Sequence, residues 1–244
     1  MRPIRRTVLL AVVAMACSAP VVAADQRSGG ERAARVTPAY KLAGNSAGAL
    51  LGDWYVQNLS LTASDSPFGG TADLCLDLGR RGKVLSPSGG LFTPQGMTCT
   101  VRVGRPVLLV MTSADCSTAE APPFFGRTEA EQRACAIKAI TSTPEIVDVQ
   151  AINVRADGGP VVDIHDPRFF AVSPQRRVVF PEDPVFGATP GPATFVAAGW
   201  VAAIRGMKRG RHVIRAEVVT ATGPLTPFIV NFDVVGRHRG HGDD

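Results

Sequence analysis

Two carboxylates, Asp115 and Glu120, flank Cys116, and a third, Glu131, stands shortly before Cys135. Two acids facing one cleft can divide the work of an extracellular hydrolase, one kept protonated as the acid and the other ionised as base or nucleophile. A Cys116–Cys135 bond would gather the segments that carry all three. Two of the three also have a structural duty open to them. Glu131 completes the capping box Thr128-Glu129-Ala130-Glu131, and Asp115 can cap a turn.

His165 is the second candidate, because Asp163 and Asp166 flank it and could orient its ring as a general base. The same cluster at a strand end also reads as a polar turn. No Gly-x-Ser-x-Gly elbow accompanies it, so a serine triad has no starting point. His212 falls in the turn Met207-Lys208-Arg209-Gly210-Arg211-His212, where bonding to a neighbouring carbonyl explains it. A metal centre at His165 lacks a fourth ligand, and His238 and His241 sit in a charged tail that could chelate only weakly. The glycines fall at turns rather than in a strand–loop–helix phosphate cradle. Neither a cofactor nor a metal is expected.

Whatever the chemistry, short elements must position it. Asn45 or Ser46 caps a predicted helix to about Ser60, with Leu50, Leu51, Trp54, Val56 and Leu59 near helical spacing. Trp54 and Tyr55 are read as part of a face docked on a sheet rather than as a ligand platform. A second helix runs from the capping box to about Ile140, burying Ala134, Ile137 and Cys135. The rest reads as strands: 74–78, 83–85, 98–103, 107–111, 146–155, 160–164, 168–173, 177–180, 197–205, 211–220 and 228–235. Val107-Leu108-Leu109-Val110-Met111 is apolar on both faces, which predicts a central strand, and Asp157-Gly158-Gly159 is a hairpin turn.

The N-terminus carries an export address. Arg2, Arg5 and Arg6 precede an apolar run, Val8 to Ala16, and small residues suit cleavage after Ala23. Ala14-Met15-Ala16-Cys17 also loosely matches a lipobox, so a lipid anchor at Cys17 is the other processing route. The full chain has 26 basic and 21 acidic residues. Losing residues 1–23 removes three of the basic ones, which leaves a net charge near +2 and no concentrated basic stripe. Nucleic-acid binding is therefore not expected; Arg80-Arg81 and Lys208-Arg209-Gly210-Arg211 read as solvated turns. No segment of the mature chain is long and apolar enough for a transmembrane helix.

Four cysteines remain in an oxidising compartment: Cys75, Cys99, Cys116 and Cys135. Three pairings are open. Pairing neighbours, Cys75 with Cys99 and Cys116 with Cys135, closes two short loops, each worth roughly 3 kcal/mol in the chain-entropy model.

Several of these features occur together in a known pattern. It comprises Asp53-Trp54 on a helix, Cys75 before a Gly-rich turn, Thr98-Cys99-Thr100-Val101, and Ser113-Ala114-Asp115-Cys116. Glu131-Gln132-Arg133-Ala134-Cys135, Gly199-Trp200 and Lys208 to Ile214 complete it. Over most of the mature chain this resembles a family of uncharacterised secreted bacterial β-rich proteins with two paired cysteines. The resemblance implies no activity. Its members usually carry two tryptophans where this chain has Trp54-Tyr55.

The expected architecture is one mainly β domain over 45–236, an antiparallel β-sandwich or jelly roll of about nine to eleven strands with two short peripheral helices. A signal peptide (1–23) and a flexible segment (24–44) precede it, and a disordered polar tail (237–244) follows. The expected function is binding or interaction, with an unknown extracellular ligand or protein partner, in the cell envelope or secreted. The alternative is an extracellular hydrolase using a carboxylate or His165 cluster.

Overall fold

The computed structural model describes residues 34–68, 72–89, 96–142 and 148–236. These lie in one compact unit; the expected signal peptide and polar tail fall outside the described residues. In chain order the elements are β1 (Arg35–Pro38), β2 (Lys41–Leu42), β3 (Asn45–Ser46), α1 (Ala47–Leu59), β4 (Leu74–Leu78), β5 (Val84–Ser88), β6 (Met97–Arg102) and β7 (Val107–Ser117). They continue with α2 (Glu129–Ser142), β8 (Val149–Ala156), β9 (Val161–Asp163), β10 (Phe170–Val172), β11 (Arg176–Phe180), β12 (Gly191–Arg205), β13 (Gly210–Thr220), β14 (Gly223–Pro224) and β15 (Phe228–Val235).

The fold is mainly β and sandwich-like. One sheet follows the order β1-β12-β7-β5-β4, with β10 and β11 also on β12; the other follows β6-β15-β13-β8-β9, with β14 on β13. Pairing is antiparallel except at β5–β7 and β6–β15. β7 lies between β12 and β5, the central place that its two-sided apolar run predicts. Its Leu109 joins the core shared by the two sheets and α2, which also contains Val101, Ala136, Trp200 and Phe232. Its Leu108 and Val110 join a second core, under α1, with Leu51, Trp54, Tyr55 and Phe195. The order is thus helix, sheet, sheet, with α2 sharing the inter-sheet side.

Both helices start as their caps dictate. Ser46 accepts the amide of Ala49 at the start of α1. Thr128 Oγ1 accepts the Glu131 amide, and Glu131 accepts the amides of Thr128 and Arg127. α1 lies so close to the sheet that a Cβ on Gly48 would come within 2.1 Å of the Val172 carbonyl oxygen. The two disulfides join Cys75 to Cys99 and Cys116 to Cys135. The first ties β4 to β6, and the second ties the end of β7 to α2.

Three expectations need correction. The segment expected to be loose up to residue 44 is strand from Arg35, because Arg35–Pro38 pairs with Ala202–Arg205 of the long strand β12. That strand begins at Gly191, not 197, and runs for fifteen residues. On α2 the buried face is Gln132, Ala136, Ala139 and Ile140, while Ala134 is exposed. A polar residue, Gln132, leads that face because its amide nitrogen donates to the Gly126 and Thr194 carbonyls.

Candidate functional site

The site begins with an irregularity in β7. Gly199 of β12 pairs with Ser113 and Val201 with Val110, so Met111 and Thr112 together oppose Trp200. This is a β-bulge, and it reverses the side-chain alternation of everything after it. Before the bulge, Leu108 and Val110 face α1; beyond it, Ala114 and Cys116 face the inter-sheet core. Ser113 and Asp115 are thereby turned towards α1, Asp115 opposite Ala197 of the core beneath that helix. The alternate residue Cys116 faces α2, where Cys135 waits.

Asp115 and Glu120 are both buried, at 5% and 8% exposure. Their carboxyls hydrogen-bond each other. Burial, then the charge of Glu120 and the bond to it, holds the Asp115 carboxyl well above the usual range. Burial raises Glu120 to about 7, against the opposing pull of hydrogen bonds from Ser117 and Asp115. Buried together, the two cannot both ionise readily, so the pair holds a proton that an exposed carboxyl would lose. Ser117 Oγ accepts the amides of Ala119 and Glu120, which leaves its own proton for the Glu120 carboxylate. Asp115 Oδ2 and Glu120 Oε2 are buried without a hydrogen-bond partner among the described residues.

Tyr55 roofs the pair. Its hydroxyl meets Ser113 Oγ at 2.9 Å, and its ionisation is pushed well up by burial and by the charge of Asp115. From Tyr55 a run of rings leads outward: Phe68 at 6.1 Å and then Phe186, 59% exposed, at 5.2 Å from Phe68. Phe186 has φ of 58°, the left-handed region that a side chain seldom adopts. Close packing extends to the strand beneath, since a Cβ on Gly199 would lie 2.4 Å from Ser113 Cβ.

A protonated carboxyl beside an ionised one, next to two hydroxyls, is equipped to move protons. Glu131 does not join the pair. It is exposed and engaged as the α2 cap. His165 lies elsewhere too, its ring 4.5 Å from Trp200 of the inter-sheet core. Its flanking acids do not orient it: Asp163 Oδ1 accepts the amides of Ile152 and His165, and Asp166 holds Arg168. His212 bonds Asp157 Oδ2 at 2.6 Å and the Lys208 carbonyl at 2.9 Å, fastening the 157–159 turn. Sequence reasoning missed Tyr55 and Ser113 as members of the site. A bulge carries no local signal in so apolar a strand, and without it Ser113 faces the wrong way.

The open concave surface lies apart from these acids. Between the end of α1 and the strands β11 and β12 is a groove of about 690 Å³. Val56, Val178, Val179, Pro192 and Ala193 supply apolar surface there, with Ser60, Thr118, Thr194 and Arg177 as polar groups. Among the described residues no cluster of three or more His, Cys, Asp or Glu side chains could hold a metal ion, and no helix is long and apolar enough to cross a membrane. No family model, curated protein or solved structure matches the chain.

Proposed function

We propose that this chain is an exported, disulfide-framed β domain that works by binding a ligand or protein partner in the cell envelope or outside the cell. The groove beside α1 carries the reading. It is concave and largely apolar, with a few hydroxyls and one cation at hand, the composition that holds and orients a ligand. Val179, 64% exposed, and Arg177 stand at its open side. The two disulfides and the N-terminal leader support the compartment, and the resemblance to secreted bacterial proteins agrees with it.

The test is a thermal-shift screen of the purified, oxidised mature protein against glycans, envelope fragments and peptides. A stabilising ligand whose effect disappears in Val179→Glu and Arg177→Ala supports the reading. Ligands that stabilise both variants as well as the parent would place binding elsewhere and refute it.

One observation favours a second reading, hydrolysis: the buried carboxyl pair Asp115 and Glu120 beneath Tyr55, both members held above the ordinary carboxyl range. Asp115 would be the acid and Glu120 the base, with Phe68 and Phe186 parting to admit substrate. Turnover of an ester or glycoside that Glu120→Gln abolishes in a folded protein would establish it; turnover that survives would exclude the pair.

A further inference from the structure

Two hairpin turns face each other at one edge of the domain. One is Leu42-Ala43-Gly44-Asn45, where Ala43 and Gly44 have φ of 47° and 88° and join β2 to β3. These are the two left-handed positions of a type I′ turn, and the Asn45 amide nitrogen fastens it by donating to the Leu42 and Ala43 carbonyls. The other is the β4–β5 connection, in which Arg81 has φ of 60° between Gly79 and Gly82. The two are in close contact, since a Cβ on Gly79 would come within 2.7 Å of Asn45 Nδ2.

Between them is a concavity of about 350 Å³ lined by Ala43, Gly44, Asn45, Arg80, Arg81 and Lys83. Three of these six residues are cations and none is an acid. The carboxylate beside the second turn, Asp77, is already committed to Arg105, which also donates to the Gly82 and Val84 carbonyls. Among the described residues, Arg80, Arg81 and Lys83 enter no ion pair or side-chain hydrogen bond. Three like charges on one tight turn repel one another, and an anion between them relieves that repulsion. Guanidinium forks match the paired oxygens of an oxyanion, and a lysine adds a point charge.

We infer that this concavity binds a phosphate-class oxyanion, with Arg80, Arg81 and Lys83 as its charged contacts and the Ala43–Gly44 turn as its far wall. The site is separate from the groove beside α1, and either can be lost without the other. Free phosphate and a phosphomonoester on a saccharide present the same group, so both are probes.

The experiment follows backbone amide resonances of the ¹⁵N-labelled, oxidised mature protein at low salt, where screening is weakest. Inorganic phosphate, a sugar phosphomonoester and, as an ionic-strength control, chloride are titrated separately. The expected result is a saturable shift of Ala43, Gly44, Arg81 and Gly82 with a phosphate probe and not with chloride. Replacing Arg81 and Lys83 by Gln should weaken it about tenfold or more, as the loss of charge-assisted bonds predicts. The control Arg209→Gln with Arg211→Gln, on another turn, should leave it unchanged. All three cations are exposed, so the variants keep the fold, and Arg80→Gln gives an independent check. A tighter phosphomonoester identifies the anion as part of a larger molecule, and equal affinities identify the free ion. Shifts that fail to saturate, or that persist unweakened in the Arg81/Lys83 variant, overturn the assignment.

Discussion

The Tyr55 hydroxyl and Ser113 Oγ, 2.9 Å apart, join α1 to the bulged half of β7 directly beside Asp115. Helix, bulge and carboxyl pair are therefore one mechanical unit, and disturbing any of them should be felt by the other two.

Stability should fall as pH rises from about 4 to about 7 and beyond, because both carboxyls of the pair are held above their ordinary range in the folded chain. The Glu120 proton is held to about 7 in the folded chain but leaves near the ordinary 4.5 when unfolded. Between those values the folded state binds more protons, so each step up in pH costs folding free energy. Glu120 alone accounts for a loss on the order of 3 kcal/mol. Urea denaturation across pH 4 to 8 measures it, and Glu120→Gln should make the slope shallower, the buried Asp115 carboxyl supplying what remains. An equally sloped curve in that variant would show that another group is responsible.

Replacing Cys116 and Cys135 together by Ala should lower stability by about 3 kcal/mol, the value for closing a loop of this length; the two are 19 residues apart. Denaturant midpoints of the oxidised parent and the variant test this. Because the bond anchors α2, amide exchange should accelerate first in 129–142.

Gly199→Ala should destabilise by about 1–3 kcal/mol, the usual cost of overpacking. Its methyl would meet Ser113 Cβ at 2.4 Å and the Thr112 carbonyl at 2.8 Å. Thermal denaturation provides the number. An unchanged midpoint would mean that β12 can shift away from the bulge freely.

His212→Ala should cost about 1–2 kcal/mol by leaving Asp157 without its ring partner. The effect should appear as faster amide exchange at 157–159 and at Val213, whose amide also bonds Asp157.

Much of the fold could be read from local sequence. Ser46 and the Thr128–Glu131 box start both helices where they were expected, because caps act within one turn of backbone. The two-sided apolar run of 107–111 placed β7 centrally. Arg35–Pro38 was unreadable because its strand character comes from pairing with residues far along the chain. Asp115, Glu120 and Glu131 were candidates to converge at the Cys116–Cys135 bond; the first two do meet, while Glu131 has the cap duty that its box already offered. Tyr55 entered the site only through the bulge, a change of phase that composition does not display.

That change of phase has a further consequence. Asp115 and Cys116 are neighbours in sequence but look out on opposite sides of the sheet, one towards Tyr55 and the other towards α2. Flattening the bulge at constant chain length would exchange them: the acid would enter the inter-sheet core and the thiol would turn away from its partner. Between 107 and 117, then, the length of the chain is as much a constraint as its composition: a single-codon loss at 111 or 112 only removes the extra residue and keeps both faces, whereas a single-codon gain there should turn the acid and the thiol the wrong way.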